Sequence, residues 1–323
     1  MLGHNSRRLI FAGTAAERLG DELAKELGEE LSPALLGMWA NGETRCQLQE
    51  NVRGADLFIL QGFAGPVNDH LMELILLVDA ANRASAGRIT VVAPYLPYSK
   101  QEKKVRGREP IASKVVANLL AVAGVDRVVS VDLHTRAIQG FYDLPFDHLT
   151  ALSVLAKAAR ELGYDNADDC IVVAPDEGAM EKSVALAHML GLKVAVVLKS
   201  HPEEDPEAVE TAGFIGDVEG RRCIIWDDMI LGGGTLANAA KELLDGGAKE
   251  VCACITHGIL CGNAFEAINN PALAQLVVTD STLPDAAYDH PKIKVASLAP
   301  MLANAITRIH QNESISEMMP DEV

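Results

Sequence analysis

Positive charge is scarce in this sequence: 28 Lys and Arg stand against 45 Asp and Glu, a formal net charge of −17. A field of that sign repels polyanions, which argues against nucleic acid and anionic membrane as partners. Long apolar runs are missing too. None could span a bilayer, and the opening stretch MLGHNSRRLIF lacks the apolar segment of a signal peptide. The 6 cysteines follow no framework spacing, as expected of free thiols in a reducing compartment. Cys252, Cys254 and Cys261 come nearest to a metal site, but the first two alternate along an apolar strand, so packing accounts for them. These absences lead to the expectation of an acidic, soluble, cytoplasmic protein.

What is present is enough apolar material for a sizeable core. At 49% hydrophobic residues over 323 positions, the chain is expected to fold as about two domains. Short, continuously apolar segments alternate with helical patterns, as in α/β domains whose parallel sheets are covered on both faces. Strands are predicted at Leu57–Leu60, Ile89–Ala93 and Val128–Asp132, then at Ile171–Ala174, Cys223–Trp226 and Val251–Ile255. Helices are predicted at Asp69–Ala84, Ile111–Ala123, Ala179–Leu190 and Leu236–Leu244. The segments GADLFILQG, ITVVAPYLPYSKQEKK and VVSVDLHT have counterparts in DDCIVVAPDEG, CIIWDDMILGGGT and VCACITHG. This rhythm marks either a duplication, with domains 1–150 and 151–323, or the alternation common to α/β proteins.

The segment CIIWDDMILGGGTLANAAKELL, residues 223–244, carries the sharpest chemistry. An apolar strand delivers Asp227 and Asp228, and Gly232, Gly233, Gly234 and Thr235 then open a helix. Ligands of open α/β sheets bind at the carboxyl ends of strands. Successive glycines let backbone N–H groups reach a phosphate at a helix N-terminus, where negative charge is favoured. The paired carboxylates suit a ligand that also carries hydroxyls or a divalent metal. The segment has neither the G-K-[ST] of a Walker loop nor a G-x-G-x-x-G, so ordinary nucleotide loops do not explain it.

Asp-Asp-x-x-x-x-x-Gly-Thr after an apolar strand resembles the ribose-5-phosphate loop of phosphoribosyltransferase-type folds. The chain is further similar to the ribose-phosphate pyrophosphokinases, or phosphoribosyl diphosphate synthases. Matches run in order through NGE (41–43), NVRG (51–54), PVNDHLMEL (66–74), REPI (108–111), VDLH (131–134), QGFYDLP (139–145), APDEG (174–178) and THGIL (256–260). The resemblance implies two tandem type I phosphoribosyltransferase domains, each a mainly parallel sheet flanked by helices. It also implies ATP and ribose 5-phosphate as substrates, Mg²⁺ as cofactor and pyrophosphoryl transfer to the sugar 1-hydroxyl. A homo-oligomer built from dimers, commonly a hexamer, comes with it.

Further roles follow from the same resemblance. Asp227, Asp228 and residues Gly232 to Thr235 would hold ribose 5-phosphate. Alone, the cationic stretch PYLPYSKQEKKVRGREPI (94–111) reads best as a solvated basic loop or an oligomer salt-bridge belt. In the family this position carries Arg-Gln-Asp-Arg and binds ATP, which implies Lys100, Gln101, Glu102 and Lys103 here. Lysine cannot reproduce a bidentate guanidinium clamp, so the detail of that grip differs. Trp39, Asn41 and Glu43 stand where the family's Phe-x-Asp-Gly-Glu loop holds adenine in a neighbouring subunit. His134 and Asp176 correspond to the groups positioning Mg²⁺ and phosphate, and Lys199 to the lysine that meets charge developing on the transferred group. Two departures leave a regulatory, catalytically weak subunit as the alternative. Leu231 replaces a polar or acidic residue, and Ser200 to Gly220 contains seven acids with no Lys or Arg, His201 being its one basic side chain.

Overall fold

The computed structural model describes residues 6–200 and 210–318. They divide into two units: residues 6–150 with 298–318, and residues 151–297. Among the described residues no helix is long and apolar enough to cross a membrane.

The first unit opens with β1 (Arg8–Ala12), α1 (Glu17–Leu27), β2 (Ala34–Met38), β3 (Thr44–Leu48) and β4 (Asp56–Leu60). It continues with α2 (Val67–Arg83), β5 (Arg88–Val92), α3 (Ala112–Ala123), β6 (Arg127–Val131) and β7 (Phe146–Leu149). Its sheet is parallel in the order β1-β4-β5-β6-β7, and β2 and β3 form a separate antiparallel hairpin. Asp56 to Leu60 is buried throughout, as a strand covered on both faces requires. Flanking helices bury one face each: α1 turns Leu19, Leu23 and Ala24 inward and ends on Gly28 in the left-handed region, φ 65°.

The second unit contains α4 (Leu152–Glu161), β8 (Cys170–Ala174), α5 (Met180–Leu190), β9 (Lys193–Ser200) and β10 (Glu210–Ile215). Then come β11 (Arg222–Ile230), α6 (Gly234–Asp245), β12 (Glu250–Gly258), α7 (Ala264–Asn269), β13 (Gln275–Thr279) and β14 (Ile293–Ala296). The sheet order is β10-β9-β8-β11-β12-β13-β14, parallel except for β10. Cys252 and Cys254 are fully buried on β12, consistent with packing.

The series β1-β4-β5-β6-β7 and β8-β11-β12-β13-β14 have the same internal order, and the hairpin β2-β3 falls where β9 and β10 fall in the second. The likeness of GADLFILQG to DDCIVVAPDEG sets β4 beside β8, one strand out of step. The counterpart of β4 is β11. Apolar strands look alike in sequence, and only pairing order separates these registers.

The last helix, α8 (Ala299–Gln311), belongs to the first unit, whereas the sequence predicts a single domain over 151–323. It packs on α1 and buries Leu302, Ala305, Ile306 and Ile309. Its C-terminal end meets a buried ion pair at the start of β4 and β5. Arg88 donates to both Asp56 oxygens (2.7 and 2.6 Å) and to the Ile309 carbonyl (2.9 Å), and His310 Nδ1 lies 2.7 Å from Asp56. The second unit repeats this with the charges reversed. Arg222, at the start of β11, pairs with Glu250 of β12 at 3.2 Å and donates to the Gly163 carbonyl (2.9 Å) beyond α4. Its guanidinium lies 3.9 Å over the Tyr164 ring, whose hydroxyl donates to Glu250. In each unit a helix end, that of α8 or α4, is thus tied to an ion pair on two neighbouring strands of the sheet.

Candidate active site

In the second unit, β9 lies on one side of β8 and β11 on the other, so the strand order reverses between β8 and β11. Open α/β sheets place ligand crevices outside the strand carboxyl ends at such a reversal. Pairing of β8 with β11 ends at Val173 and Ile225, while β11 keeps pairing with β12 as far as Ile230. Asp227 and Asp228 therefore lie past the last β8 contact but still within the strand, which runs further than the sequence suggested. Both are partly exposed. The Asp227 carboxylate accepts the Asp228 N–H at 2.9 Å. Burial, then the Asp228 charge and a side-chain hydrogen bond to Asp228, with Asp176 adding repulsion, push the Asp227 pKa up to about 7 against the opposing pull of that backbone N–H.

Asp176 stands just beyond β8, and its Oδ1 accepts the Ala179 N–H at 3.0 Å. With Glu177, Gly178 and Val197 it lines a cavity of about 280 Å³. Beyond β11, Gly233 sits at the N-cap of α6 with φ 74°, so the first-turn N–H groups follow directly. The glycines differ in kind. A Cβ on Gly233 would meet Ala267 Cβ of α7 at 2.7 Å, whereas none on Gly232 or Gly234 would meet anything within 4 Å. Gly233 is needed for its turn and for close packing, and the neighbouring two keep the approach to the loop open. Gly232, Gly234 and Thr235 are exposed, and so is Leu231.

In the first unit, candidate groups gather at the carboxyl ends of the adjacent strands β5 and β6. The chain from Ala93 to Ile111 leaves β5 and exposes Lys100, Gln101 and Lys103, while Glu102 is partly buried with Lys103 3.6 Å away. Glu109 organises the loop by accepting the Val105 and Arg106 N–H groups, both at 2.8 Å. His134 is exposed three residues past β6. Trp39, Asn41 and Glu43 occupy the turn of the β2–β3 hairpin and are exposed. Trp39 and Glu43 close the turn by a backbone bond of 2.8 Å, and the Arg45 guanidinium lies 4.8 Å over the Trp39 ring.

Lys199 is on β9, opposite Thr211 of β10. His201 and the acids Glu203, Glu204, Asp205 and Glu207 lie outside the described residues. The support beneath His134, the Asp132–Thr150 hydrogen bond of 2.9 Å, is not evident from the sequence. Its one sequence signal was an acid at the end of an apolar strand.

A family model of the N-terminal domain of ribose phosphate pyrophosphokinase matches residues 8–124, and one of the phosphoribosyl synthetase-associated domain matches 199–320. A ribose-phosphate pyrophosphokinase of Clostridium perfringens is 42% identical over 321 residues, covering 99% of this chain and 100% of that protein. One from Maricaulis maris is 45% identical over 310 residues, covering 96% and 99%. The crystal structure of phosphoribosylpyrophosphate synthetase from Mycobacterium smegmatis matches with a TM-score of 0.87 at 40% identity, covering 95% of this chain and all of that one. Agreement of this extent in sequence and fold means that the chain belongs to the ribose-phosphate pyrophosphokinase family.

Proposed function

We propose that this protein transfers the pyrophosphoryl group of ATP to the 1-hydroxyl of ribose 5-phosphate, giving 5-phosphoribosyl 1-diphosphate and AMP. The observation that carries the proposal is the carboxylate pair past the last β8 contact, followed by an open glycine loop at the start of α6. The sugar 5-phosphate binds the N–H groups of Gly232 to Thr235, assisted by the helix dipole. Asp227 and Asp228 accept hydrogen bonds from the ribose hydroxyls and so fix the 1-hydroxyl for in-line attack on the β-phosphorus. Lys100 and Lys103, with Gln101 and Glu102, hold the triphosphate, and Lys199 meets the charge that builds on the transferring group. Trp39, Asn41 and Glu43 hold the adenine of a neighbouring copy, which makes the active form a homo-oligomer.

The donor set also suits Mg²⁺. Asp176 adds its charge to an already crowded aspartate pair, a repulsion that a divalent cation relieves. Among the described residues no three His, Cys, Asp or Glu side chains converge on one point, which fits an ion that takes few protein ligands and completes its shell with phosphates and water. Asp176, which lines the second unit's cavity, is the group proposed to hold it, and His134 of the first unit keeps its proposed role in positioning phosphate. When bound, it neutralises the phosphates through which the transfer runs.

The reading is tested by incubating the protein with ATP, Mg²⁺ and ribose 5-phosphate and measuring AMP, with Asp228→Ala as the comparison. AMP formation that depends on the sugar and collapses in the variant is expected. Tight sugar binding with no AMP would instead make the protein the regulatory, catalytically weak subunit.

A further inference from the structure

His134 is an exposed side chain on a turn, yet its role requires a fixed position. The turn is held from one direction by the last residues of the neighbouring strand. Asp132 N–H donates to the Leu149 carbonyl at 2.9 Å, Leu133 N–H donates to His148 Nε2 at 3.0 Å, and Thr150 Oγ1 donates to Asp132 Oδ1 at 2.9 Å. Three consecutive residues, His148 to Thr150, thus grip two consecutive residues just before His134. The grip holds a costly conformation: Asp132 has φ 38°, in the left-handed region where a side chain is tolerated best for Asn and Asp. Asp132 is 2% exposed, so its carboxylate is turned away from solvent while the imidazole two residues on is exposed.

The second unit contains the matching pair without the imidazole. Asp280, just past β13, accepts the Ser297 hydroxyl, just past β14, at 2.7 Å. The residues that follow Asp280 are Ser281 and Thr282, both buried, and Ser281 Oγ lies 2.8 Å from His257 Nδ1. The Asp–hydroxyl bond is therefore part of the shared fold, and only in the first unit does the turn above it present a functional group.

We infer that Asp132 and Thr150 are positioning residues for the transfer reaction, acting through His134 by fixing the turn that carries it. The inference rests on the role of His134 proposed above. Steady-state constants and melting temperatures of five variants of the full-length protein test it. Thr150→Val should lower kcat at least tenfold and leave KM for ribose 5-phosphate within twofold, since the sugar loop is in the other unit. Asp132→Asn, which keeps an accepting oxygen and tolerates the left-handed backbone, should retain several-fold more activity than Asp132→Ala. Ser297→Ala should lower the melting temperature about as much as Thr150→Val and keep kcat within twofold. Equal melting losses with normal kcat in both Thr150→Val and Ser297→Ala would overturn the inference, as would equal activity of Asp132→Asn and Asp132→Ala. His134→Ala separates the two levels. If it turns over normally, the role of His134 falls and the inference with it; if it is inactive while Thr150→Val is normal, the inference alone fails.

Discussion

At the scale of single residues, identical side chains in one motif have different work to do. Asp227 and Asp228 share a sequence signature, but the raised pKa of Asp227, up to about 7, makes its charge depend on pH near neutrality. Between the ordinary value of 3.8 and about 7, the native protein binds more protons at this group than the unfolded chain does. Its contribution to stability therefore falls as pH rises across that window in the ligand-free protein. Sugar binding should run the opposite way, because an ionised carboxylate is the better acceptor for ribose hydroxyls. Calorimetric affinity for ribose 5-phosphate, without nucleotide or metal, is expected to rise from about pH 6 to about pH 8 and to rise less steeply in Asp227→Asn, where only the sugar phosphate's own ionisation at pH ~6 remains. An equal slope in that variant would remove Asp227 from the binding event. The glycines divide in the same manner. Gly232→Val should weaken sugar binding with little loss of melting temperature, whereas Gly233→Val should first lower stability, since its side chain would press on Ala267 from a left-handed backbone. Similar melting losses in both would contradict that division. From sequence alone the triplet could be seen to suit a phosphate, but not which glycine faces the ligand and which faces α7.

At the scale of elements, the six predicted strands were readable because continuous apolar runs such as Leu57 to Leu60 and Ile171 to Ala174 have no other economical use. The amphipathic helices α2, α3, α5 and α6 were readable as helices, whereas α1, α4 and α8 were not predicted. Both α4 and α8 bury an apolar face, and periodicity does not name the sheet that receives it. The choice is visible only in polar groups far apart in sequence, Asp56, Arg88 and His310 in one unit and Tyr164, Arg222 and Glu250 in the other. Asp56 is fully buried, so removing its guanidinium partner leaves its charge with the His310 imidazole as its one other side-chain contact among the described residues. Arg88→Ala should cost about 3–5 kcal/mol. Hydrogen exchange should accordingly quicken along Leu302 to Ile309 of α8. Arg222→Ala should cost less, because its partner Glu250 is 40% exposed. Unchanged exchange in α8 after Arg88→Ala would mean that helix packing, not the ion pair, holds it.

At the scale of the whole molecule, the acidic balance of the chain sets the problem that its site must solve. A protein with net charge −17 has to bind two phosphorylated ligands, and it places Lys100, Lys103, Lys104, Arg106 and Arg108 in the one loop from 94 to 111. The ordered family motifs disclosed the family and its two α/β domains. They did not disclose that the final helix belongs to the first unit, because no residue near either boundary changes composition there. Lys199→Ala should lower turnover by orders of magnitude and leave both substrate affinities nearly intact, as befits a contact made chiefly in the transition state. Ordinary turnover in that variant would take catalysis away from β9. The central claim concerns which phosphorus is attacked, and ³¹P NMR of one reaction mixture reads it directly. With ATP, Mg²⁺ and ribose 5-phosphate, attack at the β-phosphorus gives AMP and a sugar carrying a new diphosphate in equal amounts, with no ADP; formation of ADP with a singly phosphorylated 1-position would contradict it.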